Sequence, residues 1–344
     1  MKLIDLFSGI GGFSLGFQRA GYQFTEHYFS EIDKHAIANY KNNFPNAKHI
    51  GDITTIHGGD FTGIDIITFG SPCQDFSLAG KRAGLKGNKS SLIKKAIALI
   101  ADIRPSVFIW ENVKGAFSSN ARADFWAILQ AFAKIGGYRL EWQLLNTSWL
   151  LPQNRERIYL VGHLAGRSEC GVFPIREDDC LPTTKTQSQF QAQISGTIKA
   201  NGNMNADDTY IQVGTYRTHN DGKGFREVKS NIAPTIPARA REDGSGMPVI
   251  RQLPRGKNKG ADLKICPTIS SNAFQENNLL GGVRRLTEIE CERLQGFPDN
   301  WTQYGDYDGT IKPIAKTQRY KLIGNAVTVD IVELIAKRLK ITEQ

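Results

Sequence analysis

Cys73 lies in the run Gly70-Ser71-Pro72-Cys73-Gln74-Asp75-Phe76-Ser77, directly after the apolar stretch Ile64 to Phe69. A thiol in a proline-containing turn at a strand end can be exposed, and nearby positive charge converts it to thiolate, the reactive form. A lone cysteine is more often a buried structural residue, so its neighbours decide. Glu111 opens Glu111-Asn112-Val113 after a second β-rich run, Ser106 to Trp110. Arg155 and Arg157 sit in Gln153-Asn154-Arg155-Glu156-Arg157, just ahead of a third, Ile158 to Val161. If these runs are strands of one sheet, a thiol, a carboxyl and two guanidinium groups converge on one edge. Such a set suits attack on an electron-poor heterocycle.

A second constellation opens the chain. Asp5-Leu6-Phe7-Ser8-Gly9-Ile10-Gly11-Gly12 follows a strand-like run and leads into a helix. Glycines there let a ligand approach the backbone and leave helix N-terminal amides free. Glu31 stands 19 residues beyond Gly12, at the end of the next β-rich run, where a carboxylate can bind ribose hydroxyls. Asp52, after Gly51, falls at the following strand end. A dinucleotide enzyme would carry much the same glycines and acid, and a ligand-free glycine turn stays open at this point.

The elements that must hold these groups are legible as alternating runs. Lys2 to Phe7, Tyr22 to Ser30, Ile64 to Phe69, Ser106 to Trp110, Tyr138 to Leu145 and Ile158 to Val161 read as strands. Phe13 to Ala20 and Ser91 to Ile103 read as helices, the latter ended by Pro105. Alternation of this kind predicts a doubly wound α/β sheet. From Gly166 to about Lys316 the chain is rich in Gly, Pro, Asn, Thr and Ser, which predicts a smaller, irregular, β-leaning domain. Residues 217–264 carry eleven Lys or Arg against five Asp or Glu, fitting either a solvated basic surface or one that meets a polyanion. Gln318 to Leu339 is apolar again and reads as leading into a helix that packs back on the first domain. The domain limits expected are 1–168, completed by 318–344, and 169–317.

Length and composition add bounds. The 344 residues are 40% hydrophobic and 22% charged, with net charge +9, as in an ordinary globular protein with a basic balance. No apolar run reaches the ~18 residues needed to span a bilayer. The N-terminus enters a strand at once, and a cytoplasmic protein is expected. The five cysteines are widely spaced, without the close pairs of a zinc site, so no metal is expected.

Taken in order, these blocks resemble the C5-cytosine DNA methyltransferases of the bacterial and phage type. The likeness runs through Asp5 to Gly12, Glu31, Asp52, Pro72-Cys73-Gln74, Glu111-Asn112-Val113 and Gln153 to Arg157. It continues through Arg284-Arg285-Leu286-Thr287, Gln295-Gly296-Phe297-Pro298 and Gly324-Asn325-Ala326-Val327, and skips roughly 166–280. Each block alone is weak, but their shared order is specific.

The resemblance implies an S-adenosylmethionine-dependent methyltransferase domain of Rossmann-like form with a target recognition domain. It implies that Cys73 adds to C6 of a cytosine turned out of duplex DNA, that Glu111 binds the N3 edge, and that Arg157 and Arg155 hold the base carbonyl or a phosphate. It places Phe7, Gly9, Gly11, Gly12, Glu31, Ile32, Asp52, Ile53, Pro72, Leu92, Asn325 and Val327 around S-adenosylmethionine, or the product S-adenosylhomocysteine. Ile32 stands where the family often has a large aromatic. Gln74 and Ser77 become candidates for contacting DNA. Arg217, Arg239, Arg241 and Arg255 are candidates by residue type only, since arginine pairs bidentately with guanine. A monomer is expected.

Overall fold

The computed structural model describes residues 1–71, 90–118, 123–151, 153–180, 211–217, 224–227, 233–234, 248–252, 283–285 and 287–342. Its centre is a seven-stranded sheet. The strands are Lys2–Leu6 (β1), Glu26–Ser30 (β2), Lys48–His49 (β3), Ile66–Gly70 (β4), Val107–Val113 (β5), Tyr138–Asn146 (β6) and, after the two-residue Gln153–Asn154 (β7), Glu156–Leu164 (β8). The order is β3-β2-β1-β4-β5-β8-β6. β1 to β5 run parallel, and β8 is antiparallel to both neighbours. Chain order reverses between β1 and β4. In open α/β sheets a ligand crevice forms beyond the strand C-termini at such a switch.

Helices cover both faces, which is why the strands read as near-continuous apolar runs. Side chains alternate between faces with period two. Ile4, Leu6, Ile67, Phe69, Phe108, Trp110, Ile158 and Leu160 pack with Ser90–Ile103 (α3) and Ala123–Ala133 (α5). Leu3, Ile66, Val107, Ile109, Tyr159 and Val161 pack on the other face, against Gly12–Arg19 (α1) and the late helix Val329–Arg338 (α8). By the same alternation Asp5, Thr68 and Glu111 fall on this second face. Lys34–Asn43 (α2) flanks β2, and Lys114–Ser118 (α4) follows β5.

Beyond β8, Ser168–Glu169 (β9) pairs with Lys340–Ile341 (β17), joining the middle of the chain to its last described strand. Ile211–Arg217 (β10), Gly224–Glu227 (β11), Pro248–Gln252 (β13) and Val283–Arg285 (β14) form a separate sheet of order β11-β10-β13-β14. Ala233–Pro234 (β12) pairs with β7. Thr287 and Glu290 close a reciprocal capping box on Glu288–Leu294 (α6). The hairpin Tyr304–Tyr307 (β15) and Thr310–Pro313 (β16) packs by α2 and precedes Lys316–Asn325 (α7).

Two expectations shift. The strand read from Tyr22 begins only at Glu26, because Tyr22 and Phe24 turn their rings edge-on to Phe17 and the Tyr22 hydroxyl donates to Ala336 O. The C-terminal stretch is two helices, broken at Ala326-Val327-Thr328. Val329 N donates to Gln295 O, and Thr328 Oγ1 lies 2.7 Å from Thr147 Oγ1, so the break is a tether into the core.

Candidate active site

β1, β4 and β5 present their C-terminal ends side by side. Gly70, the last residue of β4, pairs with Glu111 of β5, and Ser71 follows. Cys73 comes two residues later and, with Pro72, Gln74 and Ser77, lies outside the described residues. Its approach is fixed nonetheless. Ser71 is buried, its Oγ accepts from Trp110 Nε1 at 3.0 Å and from Asn112 Nδ2 at 3.0 Å. Asn112 Oδ1 accepts Val113 N at 2.9 Å, which orients the amide so that its Nδ2 faces Ser71. The alternating strand thus sends Glu111 to one face and uses Trp110 on the other to hold the residue before Pro72. Residue types alone did not reveal that contact.

Glu111 is buried at 7% exposure and sits directly across from Tyr159 of β8. Arg157, two residues earlier on β8, shares that face, and its Nε lies 3.1 Å from Glu111 Oε1. Arg157 Nη1 is steadied by Glu156 O at 2.8 Å. Burial pushes the Glu111 carboxyl above its ordinary range, and the Arg157 and Arg155 charges only partly restrain that rise. The Tyr159 hydroxyl and Gln153 amide are buried without hydrogen-bond partners, as is Glu111 Oε1, whose contact with Arg157 is an ion pair. Orphaned polar atoms such as those of Glu111 and Tyr159, which face each other across β5 and β8, are what a polar ligand would satisfy.

Arg155, just ahead of β8, lies close enough to Glu111 and Tyr159 for its charge to act on both. Its guanidinium is buried, with Nη2 donating to Ala326 O at 2.6 Å, and it braces the break between α7 and α8.

The glycine turn adjoins this edge. Gly11 has φ +83°, and a Cβ there would lie 2.3 Å from the Phe44 ring. A Cβ on Gly12 would lie 2.7 Å from Val327 Cγ2, so the turn needs glycine to seat against the α7–α8 tether. Gly9, at φ +55°, faces open space. Its N–H donates to Glu31 Oε2 at 2.9 Å, while Glu31 Oε1 accepts Ile32 N and Asp33 N. Ile32 is 74% exposed, an apolar side chain displayed beside the turn. Asp52 caps a short 3₁₀ turn through Thr54 N, and Asn325 is exposed. Phe7 and Leu92 are half-buried against the core. Ile53 begins the turn that Asp52 caps, and its side chain packs in the core with Ile56 and Ile64.

Beneath the turn lies a buried polar cluster. Asp5 Oδ1 accepts from Thr68 Oγ1 at 2.9 Å, and its Oδ2 from Ser14 Oγ and Tyr40 OH at 3.2 Å each. Burial pushes Asp5 up to about 7, and His27, 2.8 Å from Tyr40 OH, is pushed down to about 4. Among the DNA candidates, the Arg217 backbone closes β10, whereas Arg239, Arg241 and Arg255 lie outside the described residues.

No described helix is long and apolar enough to cross a membrane. In sequence, the chain is 33% identical over 345 residues to the type II methyltransferase M1.ScrFI of Lactococcus lactis subsp. cremoris, covering 98% of this chain and 77% of that protein. It is 30% identical over 363 residues to M.Bsp6I of Bacillus sp. (strain RFL6), covering 98% of both. In fold it resembles S. pombe Dnmt2 methyltransferase (TM-score 0.58, 18% identity, 97% of this chain and 96% of that one). It also resembles a putative DNA modification methyltransferase encoded within an E. coli prophage (TM-score 0.57, 22% identity, 98% and 97%). Residues 1–341 match the profile of the C-5 cytosine-specific DNA methylases, and the chain belongs to that family.

Proposed function

We propose that Cys73, Glu111 and Arg157 carry out the chemistry of this enzyme. As a family member the chain is a DNA cytosine-5-methyltransferase, and S-adenosylmethionine is its methyl donor. The observation that carries the residue assignment is the buried Glu111–Arg157 pair, beside the strand that leads into Ser71-Pro72-Cys73.

The glycine turn suits S-adenosylmethionine. Open space at Gly9, a carboxylate tied to that turn, the exposed Ile32 and the buried unpartnered Ser8 Oγ support a nucleoside with a polar tail there. Phe7, Gly9, Glu31, Ile32, Asp52, Leu92 and Asn325 would hold it, with Pro72. When bound, it supplies an electrophilic methyl group.

Cytosine C5 is a poor nucleophile until C6 carries an electron-donating adduct. The Cys73 thiolate forms a bond to C6, and the displaced electron pair is drawn toward N3. Glu111, whose affinity for a proton burial raises, donates to N3 in its protonated form, and Arg157 holds the base carbonyl. C5 then takes the methyl group. Loss of the C5 proton restores the ring double bond and expels the thiolate. A stacked cytosine cannot reach such a site, and turning it out costs a few kcal/mol. Phosphate contacts of the basic region 217–264 offset part of that cost. Gln74, Ser77, Arg217, Arg239, Arg241 and Arg255 are assigned to DNA contact.

We assign residues 1–168 with 318–344 to catalysis and 169–317 to target recognition. The enzyme acts as a monomer in the cytoplasm of a bacterial or phage-infected cell, and the steps assigned need no catalytic metal. The decisive experiment is trapping on duplex DNA containing 5-fluorocytosine, whose fluorine cannot leave as the proton does. Wild type forms a denaturant-resistant complex and Cys73→Ser does not, while retaining S-adenosylmethionine binding. Near-normal turnover by Cys73→Ser, or methylation of tRNA in preference to duplex DNA, overturns the assignment.

A further inference from the structure

Away from the catalytic edge, Glu141 of β6, His163 of β8 and Cys170 just after β9 bring a carboxylate oxygen, a ring nitrogen and a thiol sulfur within 4.8 Å of one another. His163 pairs with Val107 at the start of β5, whereas Glu111 lies near its end. The six-residue step along β8 from Arg157 to His163 is roughly 20 Å.

The hydrogen bonds around this cluster do not balance. The Ser168 hydroxyl has one proton. It donates that proton to Lys340 O at 3.0 Å, since a carbonyl can only accept. Its 2.8 Å contact with His163 Nδ1 must therefore be Nδ1–H donating to Ser168 Oγ. A neutral imidazole protonated on Nδ1 has only a lone pair on Nε2. That lone pair points at Glu141 Oε1, 2.7 Å away.

Glu141 in turn is held as an acceptor. Oε1 takes Gly171 N at 3.2 Å and Val172 N at 3.0 Å, and Oε2 takes Gly171 N at 3.3 Å and Phe173 N at 3.2 Å. With the ring neutral, two acceptors face each other with nothing between them to share. Such a contact calls for a second ring proton or a metal cation between the two atoms, and a metal would move them apart from 2.7 Å. Cys170 is exposed and supplies both a third donor and a route from solvent.

We infer that Glu141, His163 and Cys170 form a site for a divalent metal ion of the zinc class, with solvent in the fourth position. Imidazole, thiolate and carboxylate are the donors that zinc accepts in tetrahedral geometry, at about 2.0–2.3 Å each. The Ser168 contact on Nδ1 is the kind of outer hydrogen bond that fixes a ligating imidazole. Neither reacting atoms nor cofactor turn are near, so the ion is structural. It pins the segment Gly171–Phe173, which leads toward the recognition region, to the central sheet. Through Ser168 it also secures β17. The three residues follow no motif spacing, and the fold alone brings them together.

The test uses full-length protein stripped with chelator, desalted, and titrated with Co²⁺ and then Zn²⁺. One equivalent per chain should bind, with a thiolate-to-cobalt charge-transfer band that Zn²⁺ displaces. Cys170→Ser, at an exposed position, should fold normally, lose the band, and weaken Zn²⁺ by at least roughly tenfold. Cys73→Ser should keep both. Zinc should raise the melting temperature of wild type and not of Cys170→Ser. A band that survives Cys170→Ser overturns the proposal. So does absence of stoichiometric uptake, or an NMR spectrum in which His163 keeps both ring N–H protons at one equivalent of Zn²⁺, the signature of a plain imidazolium–carboxylate pair.

Discussion

Trp110 Nε1 donates to Ser71 Oγ at 3.0 Å from the face of the sheet opposite to Glu111. One strand therefore carries a proposed catalytic carboxyl on one side and, on the other, the anchor of the backbone entering the nucleophile turn. Trp110→Phe keeps an aromatic ring against Phe125, removes the N–H and leaves part of the buried indole volume empty. A hydrogen bond of this kind contributes about 1 kcal/mol. If the anchor positions Cys73, kcat falls several-fold and alkylation of Cys73 slows, with KM for S-adenosylmethionine unchanged. Equal loss of cofactor binding and turnover would mark Trp110 as packing alone.

Glu111→Gln tests the carboxyl as proton donor. The amide keeps the shape but cannot pass a proton to N3, and general acid contributions are about 10²–10⁴-fold. Methylation should fall within that range while S-adenosylmethionine binding persists. In wild type, the raised Glu111 value predicts a single-turnover rate that declines with rising pH as the carboxyl ionises. A rate in Glu111→Gln within twofold of wild type would remove this residue from the mechanism.

Asp5 gives a pH signature in stability. Its carboxyl titrates near 3.8 when unfolded and about 7 when folded. Below both values it is protonated in both states and costs nothing. Between about 4 and about 7 the unfolded chain releases the proton first, so stability falls as pH rises through that window and then levels off. Asp5→Asn should flatten this fall, as read by melting temperature from pH 4 to 8. An unchanged slope would show that Asp5 does not titrate there.

Gly12→Ala places a methyl group 2.7 Å from Val327 Cγ2 and 3.1 Å from Val327 O. Because one neighbour is backbone, the tether must shift. Overpacking of this kind costs about 1–3 kcal/mol. The expected result is a lower melting temperature with weakened S-adenosylmethionine binding by calorimetry. Gly59→Ala, where φ is not left-handed and nothing lies within 4 Å, provides a control without the clash.

The parallel strands were legible because sheets covered on both faces need apolar residues at successive positions, as in Ile66 to Phe69. Glu111 stood out because an acid ends such a run. The contact of Arg155 with Ala326 O was not legible, since it spans 171 residues. The inward packing of the Ile53 side chain was not legible either. Its neighbour Asp52 is a turn cap, and the turn sends Ile53 inward. The Ser71 anchor and the Glu141–His163–Cys170 cluster depend on contacts across 41 and 22 residues, between elements whose register the sequence does not state.

The seat of Gly12 against Val327 joins residues 315 positions apart, and α8 closes the α1 face of the sheet over Val332, which would meet a Cβ on Gly16 at 2.5 Å. A ribosome delivers the glycine turn first and its backing last. Until residues 326–338 emerge, Phe13, Phe17 and Ile109 lack the cover that makes that face dry. The nascent chain thus holds an unfinished cofactor turn throughout synthesis of the recognition region. Cofactor binding by the nascent chain is therefore expected only once Val329–Arg338 docks.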